Sequence, residues 1–309
     1  MSNSGSFKVG VIGCGKVGMT AAYAMMLSGT PTEIVLFDRH KDKAMGEKLD
    51  LEHALSLLSG YVNITATDNY ADLSESRLIV YSAGAAQQPG QTRLDLVNTN
   101  KKILEEVLPK INQAAPKSVI LIVANPVDVL TYFAHKLIPD AGGKIFGSGT
   151  MLDTARLRFH LSEALKINPH SIHAYVLGEH GDSSFPVFAN TTVGGQKLLE
   201  VPGMSEMVVA EAYQKTKEAA NKIIEAKGAT YYAIGVVVMK IMQAVFSDSK
   251  TVFPLSVPLD DYLGFSGVAL SVPCILGENG VEKILAVDLS PAERAALEKS
   301  VVALKPYCE

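Results

Sequence analysis

Lys8-Val9-Gly10-Val11-Ile12-Gly13-Cys14-Gly15-Lys16-Val17-Gly18 is the stretch whose reading decides the fold of this 309-residue chain. The first five residues are an apolar run of strand length, and the next six fit the spacing GxGxxG. From 17 to 28 the apolar residues recur with a helical period, and Gly29-Thr30-Pro31 is a stop signal. A strand, a glycine turn and a helix in that order build a dinucleotide-binding turn. Gly13 permits the tight turn, Gly15 lets backbone N–H groups approach a diphosphate, and Gly18 allows close packing of helix on strand. The helix N-terminus, at Lys16 and Val17, favours the anion. Asp38 follows the second apolar run, Glu33–Phe37, about 20 residues past Gly18, where an acid can bind the adenosine ribose hydroxyls. That favours NAD over NADP, although Arg39 leaves room for a 2′-phosphate, and an Asp there can also simply cap the next helix.

Outward from this unit, apolar runs at Leu78–Tyr81, 119–123 and 144–146 read as further buried strands, with a helical pattern at 94–115. Alternation of this kind implies a parallel sheet with crossover helices. The expected fold is an α/β Rossmann sheet, doubly wound, with a second α+β substrate domain. We place the dinucleotide-binding domain at 1–148 and the catalytic domain at 149–309. The second half reads as a helix at Met151–Leu165, a strand at 171–176, helices at 205–226 and 230–246, and β-type runs at 251–257, 268–276 and 281–285. A closing helix starts at Pro291, with Ser290 as cap and Glu293 completing a capping box.

A net charge of -4 gives no basic footprint for nucleic acid, so a small molecule is the expected partner. The three cysteines, Cys14, Cys274 and Cys308, are scattered without CxxC spacing, which offers neither a disulfide framework nor a zinc site. No apolar run reaches the length of a membrane span, and the first residues lack the blocks of a signal peptide. The expectation is a cytoplasmic protein.

The chemistry-bearing residues lie further along. Gly178-Glu179-His180-Gly181-Asp182 puts a histidine in a glycine-flanked turn after an apolar strand, a place for an acid/base group, although many turn histidines are plain surface residues. On the helix from Met151, Asp153 and Arg156 are spaced i, i+3 and share a face. They can form a plain intrahelical ion pair. They can also serve a site, with Asp153 accepting from one ring nitrogen of His180 and Arg156 clamping a substrate carboxylate through a bidentate fork. Arg93, in a loop with Pro89 and Gly90, is either a further cation for that site or a solvated loop residue.

Five ordered segments carry a resemblance: Gly13 to Gly18, Gln87-Gln88-Pro89-Gly90-Gln91-Thr92-Arg93, Ala124-Asn125-Pro126-Val127-Asp128, Gly147 to Arg156, and Gly178 to Ser183. Over nearly its whole length the chain resembles the L-lactate/L-malate dehydrogenase family, on the lactate branch and close to its bacterial members. The resemblance implies that His180 exchanges the proton, Asp153 orients it, Arg156 anchors the carboxylate and Arg93 polarises the reacting carbonyl. It also implies that Asn125 lines the site near both nicotinamide and substrate. Gln87 stands where malate enzymes carry an arginine for a second carboxylate, and Thr230 matches a position where threonine accompanies lactate specificity. A dicarboxylate would then leave a buried anion unpaired, at a cost of about 3–5 kcal/mol. The alternatives are an L-malate dehydrogenase or a broad L-2-hydroxy acid dehydrogenase. From a different class, a non-catalytic NAD-binding regulator would have no need of these four polar residues together. The resemblance further implies a homotetramer, with Arg158 and His173 at an allosteric subunit interface that binds fructose 1,6-bisphosphate. Arg158 lies two residues beyond Arg156, a rotation of roughly 200° that turns it away from the substrate.

Overall fold

The computed structural model describes residues 7–85 and 93–309 of the chain. Gln87 lies outside the described residues, and Arg93 is described only as the first residue of a helix. The N-terminal half runs β1 (Lys8–Ile12), α1 (Lys16–Leu27), β2 (Glu33–Phe37), α2 (Lys41–Leu55), β3 (Asn63–Thr67), β4 (Leu78–Tyr81), α3 (Arg93–Ala114), β5 (Val119–Ile122), α4 (Val127–Leu137) and β6 (Ile145–Gly147). These six strands are parallel, in the spatial order β3-β2-β1-β4-β5-β6. That is the doubly wound order, with its switch point between β1 and β4. Strands β1, β2, β4, β5 and β6 are largely apolar runs, as expected where helices cover both faces of a parallel sheet. In β5 every side chain is buried, and each Val, Ile or Leu removed from water contributes roughly 1.5–3 kcal/mol.

The C-terminal half follows as α5 (Met151–Leu165), β7 (Ile172–His173), β8 (Val176–Leu177), β9 (Phe185–Pro186), β10 (Thr192–Val193), β11 (Gln196–Lys197), α6 (Glu206–Lys227) and α7 (Tyr232–Phe246). It closes with β12 (Thr251–Pro258), β13 (Ala269–Gly277), β14 (Gly280–Ile284) and α8 (Pro291–Cys308). The capping box expected at Ser290 and Glu293 is present. Strands β12 to β14 do not form a sheet of their own. They continue the parallel sheet antiparallel from β6, through the pairing of Ser256 with Gly147, so that nine strands form one sheet among the described residues. Their buried side chains join the same large core as β1 to β6, while a smaller core gathers Leu157, Leu161, Ile172, Val176 and Leu198 beneath α5 and α6.

One expected strand is corrected. The run 171–176 is split, because Ala174 and Tyr175 belong to neither β7 nor β8. The Ala174 carbonyl accepts from Arg158 Nε, and the Tyr175 carbonyl accepts from Val187 N–H. The chain thereby leaves the small sheet, where His173 faces Thr192, and joins β9.

Candidate active site

The carboxyl ends of the parallel strands lie along one edge of the sheet, which is where a doubly wound fold binds its ligand. Gly13 follows β1 with φ +94°, a left-handed conformation that glycine adopts without strain, and its N–H donates to the Phe37 carbonyl at 2.8 Å. A Cβ on Gly13 would stand 2.9 Å from Ala83 Cα, and one on Gly18 would stand 2.6 Å from Ser82 Oγ. Gly15 differs, since a Cβ there would meet nothing within 4 Å. Two of the glycines therefore close the turn against the sheet, and Gly15 opens it outward at the start of α1. Lys16, Val17 and Gly18 occupy the first turn, where backbone N–H groups have no acceptor within the helix. A diphosphate fits that combination of open space, free donors and positive helix end.

Asp38 is buried at the end of β2. Its Oδ2 accepts from Cys14 N–H at 2.9 Å and its Oδ1 from His40 N–H at 3.0 Å. The carboxylate thus ties β2 to the glycine turn as well as leading the chain into α2. Each oxygen keeps a second lone pair for a ribose hydroxyl.

The second cluster forms where α5 meets the turn after β8. Thr150 and Thr154 stitch the two together: Thr150 Oγ1 donates to the Val176 carbonyl at 2.5 Å, and Val176 N–H donates to Thr154 Oγ1 at 2.9 Å. Gly178, at φ +87°, is held by reciprocal bonds with Ser271 on β13, and its missing Cβ leaves room for Ser300 Oγ. With helix and turn fixed, Asp153 Oδ2 lies 2.7 Å from His180 Nδ1 while Asp153 Oδ1 lies 3.1 Å from Arg156 Nη1. The intrahelical ion pair and the Asp153–His180 contact therefore coexist on one carboxylate. The carboxylate is 15% exposed, the guanidinium 11% and the imidazole 27%. Among the described residues no hydrogen bond to His180 Nε2 is present.

Burial alone would disfavour a charged imidazole. The Asp153 carboxylate outweighs it through charge and hydrogen bond, and with help from Asp128 the His180 pKa is pushed up to about 9. Burial likewise opposes the Asp153 anion, but His180 and Arg156 hold it below the usual carboxylate range. At neutral pH the arrangement is an imidazolium on a carboxylate, an acid ready to donate from Nε2.

Of the other expected residues, Asn125 ends the segment after β5, and its carbonyl accepts from the Asn100 side chain at 2.7 Å. Thr230 is half-buried between α6 and α7, and no hydrogen bond among the described residues ties it to His180. Arg158 leaves the site as its helical position requires, donating to Ala174 and packing on the Tyr175 ring, beside the exposed His173. Sequence reading gave no role to Asp128, whose carboxylate receives the His180 backbone N–H, to Ser256, whose hydroxyl donates to that carboxylate, or to Tyr213, whose hydroxyl donates to the Ser184 carbonyl. The signal available was a lone acid in an apolar helix, Val127-Asp128-Val129-Leu130.

Comparison with known proteins identifies the family. A family model described as the lactate/malate dehydrogenase NAD binding domain matches residues 7–147, and one for the alpha/beta C-terminal domain matches residues 150–309. An L-lactate dehydrogenase of Clostridium botulinum is 41% identical over 303 residues, covering 96% of this chain and 95% of that protein. One from Thermoanaerobacterium saccharolyticum is 43% identical over 291 residues, 93% of each chain. The minor L-lactate dehydrogenase from Enterococcus mundtii, solved in a ligands-bound form, is similar in structure with a TM-score of 0.95 at 36% identity, covering 99% of this chain and 98% of that one. A deep-sea metagenome lactate dehydrogenase, MGS-M5, gives a TM-score of 0.93 at 37% identity, with 98% of each chain covered.

Proposed function

Because the chain belongs to the lactate/malate dehydrogenase family, we propose that it is an NAD-dependent L-lactate dehydrogenase interconverting pyruvate and L-lactate. The observation that carries the reading is the half-buried carboxylate of Asp153, shared between the His180 ring and the Arg156 guanidinium. Bound NADH supplies a hydride to C2 of the 2-oxo acid. Arg156 anchors the substrate carboxylate with the part of its fork that Asp153 leaves free. His180 gives the Nε2 proton to the carbonyl oxygen as negative charge grows there, and Arg93 stabilises that charge. In the reverse direction His180 must start neutral, so oxidation of the hydroxy acid favours higher pH than reduction. Gly13, Gly15, Lys16, Val17 and Gly18 hold the diphosphate and Asp38 the ribose, while Asn125 borders nicotinamide and substrate. The cofactor-binding domain is assigned to 1–148 and the catalytic domain to 149–309, meeting where β6 gives way to α5.

Gln87 and Thr230 favour pyruvate over a dicarboxylate on the strength of the resemblance. The test is the rate of NADH oxidation with pyruvate, oxaloacetate and 2-oxoisocaproate. Pyruvate is expected to give the highest kcat/KM; preference for oxaloacetate would make the protein a malate dehydrogenase, and equal use of all three a broad 2-hydroxy acid dehydrogenase. The three buried free cysteines are in keeping with a reducing cytoplasm. Among the described residues no helix is long and apolar enough to cross a membrane.

The assembly is proposed to be a homotetramer in which Arg158 and His173 of paired subunits bind the phosphates of fructose 1,6-bisphosphate. The Arg158–Ala174 bond, one residue from His173, supports their nearness on the side of α5 opposite Arg156. Two copies of the Arg158 guanidinium repel across a symmetric interface until an anion joins them. Millimolar fructose 1,6-bisphosphate is therefore expected to shift the pyruvate saturation curve to lower concentration, and Arg158→Gln to abolish the shift. Superimposable wild-type curves with no change in tetramer population would remove the effector.

A further inference from the structure

The buried acid beneath His180 is the feature that the expected machinery does not use. Asp128 is the second residue of α4, only 2% exposed, and it faces the catalytic turn from below. Its Oδ2 accepts the His180 backbone N–H at 2.7 Å, and its Oδ1 accepts the Ser256 hydroxyl at 2.6 Å. One side chain thus bridges three elements: α4 after the Asn125 segment, the His180 turn, and β12 where it meets β6. We propose that Asp128 is a second positioning carboxylate for His180, fixing the backbone of the proton donor where Asp153 fixes its ring. The proposal rests on the dehydrogenase reading for its kinetic consequences, but not for its geometry.

Two physical points favour an anion at this place. Asp128 stands in the first turn of α4, at the positive end of the helix dipole. The groups that surround the acid are donors, Ser256 Oγ and His180 N–H, and these oppose the burial that lifts its pKa to about 6. Above that value Asp128 is ionised and adds to the field holding the imidazolium, after the larger contribution of Asp153. The other charged or titratable groups facing this region are Arg156 on α5, Glu179 in the turn, bonded to Ser183, Tyr213 of α6, whose hydroxyl donates to the Ser184 carbonyl, and Cys308 of α8, close to Asp128. Arg156 acts against the His180 charge, so the two carboxylates together set the working range of the acid.

A purely structural acid and a positioning acid differ in what its neutral replacement does to the pH profile. Asp128→Asn keeps an acceptor for the His180 N–H and nearly the same volume, while removing the charge. Pyruvate reduction needs protonated His180, so its kcat/KM is lost as pH rises through the His180 pKa. In Asp128→Asn that limb is expected to move down by roughly half to one pH unit, with NADH affinity unchanged. The same shift should appear in the pH dependence of His180 ethoxyformylation by diethyl pyrocarbonate, read by peptide mass spectrometry, since the neutral ring is the form that reacts. This second readout needs no substrate. Absence of wild-type pyruvate reduction would count against the dehydrogenase reading, whereas superimposable ethoxyformylation curves would overturn the role of Asp128. Should Asp128→Asn fail to fold, Ser256→Ala takes its place. Without the Ser256 donor the carboxyl is harder to ionise, so this variant is read at the alkaline limb, where Asp128 is charged with one oxygen freed; kcat there is expected to fall several-fold with the limb unmoved, and an unchanged kcat would overturn the proposal.

Discussion

Replacing His180 with alanine is expected to lower pyruvate turnover by roughly 10²- to 10⁴-fold while leaving NADH binding intact. The size follows from the role, since without the imidazolium the oxygen charge that develops at C2 must be neutralised by water. Retention of NADH binding follows from the fold, because the Gly13–Gly18 turn is built by β1, α1 and β2, whereas the His180 turn is held by α4, α5 and β13. The raised pKa of about 9 makes the wild-type dependence directional. Reduction should hold through neutral pH and fall above 9, and oxidation should rise toward it. Steady-state turnover together with fluorescence titration of NADH checks both halves, and a variant that keeps wild-type turnover would remove His180 from the mechanism.

Arg156→Lys is expected to raise the KM for pyruvate by roughly 10- to 100-fold, with a smaller fall in kcat. The geometry explains why a conserved charge is not enough. Nη1 of Arg156 is already engaged by Asp153 Oδ1 at 3.1 Å, so in the proposed mechanism the planar guanidinium would have to serve the carboxylate on its own helix and the substrate at once. A lysine ammonium is a point charge that must choose between them. Pairing with Asp153 would leave pyruvate without its anchor, and pairing with pyruvate would leave Asp153 to His180 alone. Pyruvate saturation curves separate the outcomes: an unchanged KM would mean that Arg156 is only the intrahelical partner of Asp153.

Much of this site is readable along the chain because its parts come in short local units. The turn from Gly13 to Gly18 and the i, i+3 pair of Asp153 and Arg156 each declare a geometry within one helical turn. Helix α5 is bounded as its pattern indicates. Two helices carry no comparable signal. In α2 only Ala44 and Leu51 are buried, too few to mark a face, whereas α4 is only 11 residues long and follows directly on Pro126, shortly after β5. Strand β3, Asn-Ile-Thr-Ala-Thr, lies at the sheet edge with only two of its residues buried. Asp128 illustrates the remaining difficulty. Its partners stand 52 and 128 residues away, and nothing local in Val127-Asp128-Val129 says that a turn and a distant strand will supply the donors. The continuation of the sheet into β12 was hidden for the same reason, since pairing between distant strands is set by the folded whole.

That continuation bears on how the halves could be separated. Cut after residue 148, the N-terminal part would carry β6 as an open border, stripped of β12 and of the Ser256–Gly147 pairing. Ile145 and Phe146, both fully enclosed in the intact chain, would face solvent beside unpaired backbone amides. Such a fragment is a template for its own aggregation. The cofactor-binding half is thus a recognisable pattern without being a detachable part, and a designer seeking to graft it elsewhere would need to bring β12 along or blunt the exposed border with charge.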